Sequence, residues 1–212
     1  MRVARGYHGT TLAVAEAIVD RAEPFRPSGD RLGHWLGRGI YFWEENEIRA
    51  RFWANGRALQ EARDGVAPLP AVIVADIDLS QCLDLCQPRW HRAIRRLGEG
   101  LSIPAQHGPV LRSARANTRF TIADYDMDPL TEGMNGADER VIDALHAKVS
   151  SHQRVTTKRG AFQVGRQLHS NSYLFEEGHV QIAVLDQTVI TPVEVIKLPP
   201  LSLDLLRAAG RT

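Results

Sequence analysis

The sequence predicts an α+β fold, and three observations predict it. Residues 71–77 form a near-continuous apolar run rich in β-branched side chains, the pattern of a buried strand. The segment His179-Val180-Gln181-Ile182-Ala183-Val184-Leu185-Asp186 alternates in and out of a sheet. Helical spacing of apolar residues recurs elsewhere, at Leu12, Ala15, Ala17, Ile18 and Val19 and again across residues 44–63.

Taken in order, residues 2–8 read as a short strand, and Thr10 and Thr11 suit the N-cap of the helix that follows and fades by Glu23. Residues 24–30, with Pro24, Pro27 and Gly29, read as a turn-rich, partly extended loop. Gly37 and Gly39 flank Arg38 at a bend into the strand Ile40-Tyr41-Phe42. The 44–63 helix is acidic at its start and carries Arg49, Arg51 and Arg57 later, in line with the helix dipole; Pro68 and Pro70 end that region. Arg89, Arg92, Arg95 and Arg96 fall at three- and four-residue steps on one helix face. Residues 98–118 show few periodic patterns. Val141, Ile142, Leu145 and Val149 give one face of a helix over 138–149. A variable stretch, 150–159, leads to Ala161-Phe162-Gln163-Val164, a polar loop over 167–178, and strands at 180–184 and 193–198. The expectation is one domain, 1–212, with a variable insertion at about 86–158.

Composition narrows the function classes. A chain of 212 residues, 43% hydrophobic and 24% charged, can bury its own core. The net charge of +1 implies no global pull toward nucleic acid or membrane. No run approaches the roughly 18 apolar residues of a membrane span. Met1-Arg2-Val3-Ala4-Arg5-Gly6 has no apolar stretch after its arginines, so a secretory signal is not expected and a cytoplasmic location is. Cys82 and Cys86 are too few to hold a metal and read as reduced core residues. No metal is expected.

Three polar positions speak for chemistry. His8 lies in Tyr7-His8-Gly9-Thr10, Tyr41 in Gly37-Arg38-Gly39-Ile40-Tyr41-Phe42-Trp43, and Gln181 in the late alternating strand. His8 and Tyr41 are separated by about the length of a strand, a helix and a return strand. A histidine, a tyrosine and a carboxamide on three strands form a polar cradle, read as a nucleotide pocket. The bland readings are a structural histidine and core aromatics.

On these motifs the chain resembles the ADP-ribosyltransferase superfamily, in the branch shared by poly(ADP-ribose) polymerases and diphtheria-type toxins, which is defined by a His–Tyr–Glu triad. Tyr7-His8-Gly9-Thr10 is similar to the first motif and Gly39-Ile40-Tyr41-Phe42 to the second. Bacterial toxin-like members also share Trp35-Leu36-Gly37, a strand over 72–85 ending in Asp84-Leu85, and the closing 179–184 strand. The resemblance covers most of residues 6–197. Gln181 stands where the polymerases have glutamate.

The resemblance implies two small antiparallel-rich sheets in a split arrangement, with helices around them and an NAD groove between. It implies that His8 hydrogen-bonds the adenosine-side ribose, that the Gly9 backbone grips the nicotinamide amide, and that Tyr41 lines the nicotinamide subsite. Phe52 falls where the family places a second, stacking aromatic; two ring faces around a cationic ring are worth about 1–2 kcal/mol when desolvated. Thr10 belongs to the same NAD-binding set, and Arg26 and Ser28 lie in the loop that runs along the adenosine side. Gln181 keeps hydrogen-bonding capacity but offers neither a negative charge nor a general base. Chain elongation is therefore not expected, and single transfer is. His179, two residues earlier on the same face, is a candidate substrate contact or surrogate base. Glu177 would share that face and supply a carboxylate, or is simply a loop charge.

The implied function is mono-ADP-ribosyl transfer from NAD to a macromolecular acceptor, protein or nucleic acid, in a bacterial toxin or phage-defence effector that an antitoxin or immunity protein would restrain. An NAD glycohydrolase and a catalytically inactive NAD- or ADP-ribose-binding module are the alternatives. The arginine set with Trp90 and His91 reads either as a phosphate-tracking face or as a solvated helix face. Asp124, Asp126 and Asp128 lack the glycine and terminal glutamate of a calcium loop and read as polar loop.

Overall fold

The β-branched run at the centre of the prediction becomes the strand around which one sheet is built. A computed structural model describes residues 2–27, 34–64, 66–101, 129–163, 165–170, 174–202 and 204. The described elements are seven strands and four α-helices, an α+β architecture. The chain divides into two compact units: Met1–Arg26 with Ile40–Ser80 and Asp186–Thr212, and Pro27–Gly39 with Gln81–Leu185.

The first unit holds β1 (Val3–Thr11), α1 (Leu12–Val19), β2 (Ile40–Glu44), α2 (Glu47–Glu61), β3 (Pro70–Asp78) and β7 (Ile190–Lys197). Its strands run in the order β7-β3-β1-β2, all antiparallel. β3 is buried from Pro70 to Ala75 and again at Ile77, so its side chains are covered on both faces; this is why it reads as unbroken hydrophobicity rather than alternation. β7 pairs with β3 alone in this unit and is largely exposed. It carries Pro192, where the register with β3 shifts between Val74 and Ala75, a place where a missing N–H costs no regular ladder bond.

Small residues let α2 approach β1. Ala50 and Ala54 are fully buried and pack with Trp43, Val72 and Leu198, against which Tyr7 and Ile196 lie. Asn46 caps α2, its side chain accepting the Arg49 N–H at 3.1 Å. The expected helix start at Glu44 is thus too early: residues through Glu44 extend β2, and the cap sets the start at Glu47. Thr11 stands at the N-cap of α1 in extended conformation, but its side chain makes no capping bond, and β1 runs through Thr10 and Thr11 instead of ending at His8.

The second unit holds β4 (Cys82–Asp84), α3 (His91–Gly100), α4 (Pro129–Ser150), β5 (Thr157–Phe162) and β6 (His179–Val184). β5 pairs parallel with β4 and antiparallel with β6. The continuous strand expected through residue 85 is instead two strands. Asp78 folds back after β3, accepting from the Ser80 N–H and hydroxyl at 2.8 and 2.5 Å, and turns the chain.

The 150–159 stretch, read as variable, contains the first half of β5. Thr157 and Lys158 are buried, and sequence periodicity missed them because a buried lysine breaks the apolar pattern. The Lys158 ammonium pairs with Asp143 of α4 at 2.9 Å. On β4, the buried Asp84 accepts from Arg159 at 3.1 Å and from the Cys86 N–H at 3.2 Å. The cysteines are free thiols, Cys82 half-buried and Cys86 exposed, so neither is the core residue that the sequence suggested. Residues 102–128 lie outside the described residues, and with them Asp124, Asp126 and Asp128.

Candidate functional site

The first two motifs meet inside the first unit, and they meet through backbone. His8 Nδ1 lies 2.8 Å from the Tyr41 carbonyl oxygen. A carbonyl only accepts, so Nδ1 carries the proton and Nε2 is the acceptor nitrogen of a neutral ring. The surroundings favour the neutral ring over the charged one. Burial lowers the His8 pKa, the bond to Tyr41 opposes that, and the Arg57 charge adds to the lowering. The acceptor that the uncharged His8 ring can offer is thus Nε2.

Two phenylalanines hold the His8 ring. Phe25 stands edge-on to it at 5.7 Å and 86°, Phe42 lies tilted at 5.4 Å, and both are buried. Gly6 serves the same packing, since a Cβ there would come within 3.0 Å of Phe42 Cβ and closer still to Ile77. Sequence reasoning missed Phe25 and Phe42 as partners of His8. Neighbours on a strand point to opposite faces, so Tyr41 and Phe42 diverge on β2, and the ring on the His8 face is Phe42.

Gly9 has a packing reason to be glycine. A Cβ there would collide with the Ala50 carbonyl oxygen and stand 2.7 Å from the Ala54 nitrogen, both backbone atoms of α2. The sequence reading tied this glycine to close approach of a ligand; the helix already demands it. Thr10 is buried on β1 opposite Ala71. Tyr41 is half-buried on β2 and Phe52 half-buried on α2. Arg26 pairs with Glu23 at 2.9 Å on the surface, a contact of little energetic weight. Ser28 lies outside the described residues.

The third motif is built in the second unit. On β6, His179 and Gln181 share a face, opposite Phe162 and Gly160 of β5. Gln181 Nε2 lies 2.9 Å from His179 Nε2, and His179 Nδ1 lies 2.7 Å from the Glu177 carbonyl oxygen. What Glu177 brings to His179 is therefore its backbone oxygen. Trp35 stacks on the His179 ring at 5.9 Å and 21°, and Phe162 packs beside both, 4.3 Å from Trp35 and 6.0 Å from His179. A Cβ on Gly160 would meet Leu36 at 3.0 Å, so the Trp35-Leu36 segment uses that gap. Trp35 and Phe162 are further residues that sequence reasoning did not connect to His179; only strand register puts Phe162 across from it.

The arginine set lies outward. Arg89, Arg92, Arg95 and Arg96 are exposed, with Arg89 4.9 Å over the Trp90 ring. Among the described residues no group of three or more histidine, cysteine, aspartate or glutamate side chains could hold a metal ion. No described helix is long and apolar enough to cross a membrane.

No family model matches the chain. Over 47 residues the chain is 49% identical to an uncharacterised protein of Methanocaldococcus jannaschii. The shared stretch is 22% of this chain and 21% of that protein.

Proposed function

We propose that the chain is a mono-ADP-ribosyltransferase that moves ADP-ribose from NAD to a macromolecular acceptor. The observation that carries this reading is the 2.8 Å bond from His8 to the Tyr41 carbonyl, which joins the first two motifs and makes Nε2 the acceptor atom of the uncharged ring. A ribose hydroxyl is the ligand group that such a nitrogen suits. In this reading His8 holds the adenosine-side ribose, Thr10 belongs to the NAD-binding set beside it, the Gly9 backbone takes the nicotinamide amide, and Tyr41 and Phe52 line the nicotinamide ring. Gln181 accepts from the nicotinamide-side ribose.

Departure of neutral nicotinamide needs little acid catalysis, so holding the dinucleotide and favouring the oxocarbenium-like ribose is most of the task. A carboxamide at position 181 supplies a hydrogen bond but no anion, which fits single transfer to a nucleophile that needs little activation. The reading includes an ADP-ribosyltransferase-like fold, a cytoplasmic site of action, a toxin or defence role, and an antitoxin or immunity partner.

The test is transfer of label from adenine-labelled NAD into a bacterial lysate, with nicotinamide release followed in parallel. The expected result is labelled macromolecule, with protease or nuclease sensitivity naming the acceptor class. Nicotinamide release without labelled macromolecule would replace transfer by hydrolysis. Neither release nor label, in lysates from several hosts, would sink the enzymatic reading and leave a binding module.

A further inference from the structure

A glutamine side chain has two unlike ends, an oxygen that accepts and a nitrogen that donates. A carboxylate has no such choice to make, because its two oxygens are equivalent. With Gln181 in the strand, the end that faces a ligand must be selected by something.

The hydrogen-bond chain on β6 makes that selection. The Glu177 carbonyl accepts, so the proton of His179 sits on Nδ1, 2.7 Å away. Nε2 of that ring then offers a lone pair, and the Gln181 nitrogen, 2.9 Å from it, must be the donor. The carboxamide is thereby turned with its nitrogen toward His179 and its Oε1 away from it. The imidazole that sets this orientation is itself fixed: it is 8% exposed, stacked by Trp35 and flanked by Phe162. The strand places both residues two apart on one face, so no other element has to move for the bond to form.

We infer that His179 is a positioning residue: through its Nε2 it locks the Gln181 carboxamide so that the carbonyl oxygen is the end presented to a hydroxyl-bearing ligand. The inference rests on the proposed function for its ligand, the nicotinamide-side ribose, but not for the hydrogen-bond chain itself. It assigns His179 a role through Gln181 and requires no contact of His179 with substrate.

Two measurements test it. The first reads the ring directly: nitrogen NMR of histidine-labelled protein at neutral pH, with His179 assigned by its loss in His179→Gln. The expected spectrum is a neutral ring protonated on Nδ1 with a bare Nε2. A ring protonated on Nε2, alone or in an imidazolium, would overturn the inference.

The second is a cycle read by nicotinamide release, using variants that melt like the parent. His179→Phe keeps a stacked ring without the acceptor and should lower kcat about tenfold with little change in KM. His179→Gln, whose side chain offers an acceptor near the Nε2 position, should recover most of it. In the Gln181→Glu background His179→Phe should cost less than about threefold, because a carboxylate needs no orienting. An equal loss in both backgrounds would mean that His179 acts by packing alone. If the parent releases no nicotinamide but the ring is protonated on Nδ1, the positioning stands and the enzymatic reading falls.

Discussion

The Lys158 ammonium, on a side chain only 1% exposed, is held 2.9 Å from the Asp143 carboxylate, which is itself 48% exposed. One partner is buried and the other reaches solvent, so the pair carries a charge into the second unit and returns it to the surface. The same carboxylate leaves no room at Gly37. A Cβ there would collide with Asp143 Oδ1, and the glycine adopts φ +69°, which side-chain-bearing residues rarely do.

Asp143→Ala should therefore destabilise the protein by about 3 kcal/mol, near the lower end for breaking a buried pair because Asp143 is half in water. The loss comes from the charge stranded at Lys158. Urea unfolding measures it, and Lys158→Met with Asp143→Ala should recover part of the loss. A double variant no more stable than Asp143→Ala would contradict this account.

Gly9→Ala should cost about 1–3 kcal/mol, since its Cβ meets backbone atoms of α2 that no side-chain rotation can move aside. Thermal melting reads the change directly. A variant melting with the parent would show that α2 stands further from β1 than the structure has it.

The pH dependence has a definite sign. His8 is held below the ordinary histidine value chiefly by burial, and His34 and His146 are lowered for the same first reason. An unfolded histidine binds its proton near about pH 6.5, whereas these folded rings resist until lower pH. Over that interval the unfolded chain holds more protons, so stability is full above about 6.5 and falls as the pH drops below it. Urea unfolding between pH 7.5 and 5.5 should show this slope. His8→Asn, which keeps a donor near the Nδ1 position, should reduce it, and an unchanged slope would remove His8 from the effect.

Gln181→Ala should abolish nicotinamide release, by roughly a hundredfold or more, while leaving the melting temperature within a degree or two of the parent. Its side chain is only half-buried, so its removal strips little from the core. Undiminished turnover in such a variant would exclude Gln181 from the mechanism.

Much of the scaffold was legible because it rests on local patterns. The β3 run, the α1 and α2 spacing and the alternation of β6 are written in neighbouring residues, where 2- and 3.6-residue periods report burial directly. The order and glycine context of Tyr7-His8-Gly9-Thr10 and of Gly39-Ile40-Tyr41-Phe42 likewise stood out as polar motifs beside apolar strands. Other features had no local trace. Lys158 hid the start of β5, because its partner Asp143 lies on another element and a lone lysine reads as surface. The reach of β1 to Thr11 escaped for a similar reason: two threonines beside a helix suit a cap as well as a strand, and pairing with β3 through Pro70 decided between them.

What the sequence by itself determined is the α+β class, the elements with strong periodicity, and the set of polar residues worth asking about. Tertiary structure alone decided how those residues are used. It put the Tyr41 carbonyl, not the Tyr41 ring, against His8; it gave Gly9 to helix packing; and it set His179 against Gln181 with Trp35 stacked behind. The physical reason is that hydrogen-bond direction and ring packing depend on which atoms meet across strands and loops. Residue types and spacing along one chain specify the candidates, and only the folded contacts specify which atom of each is presented.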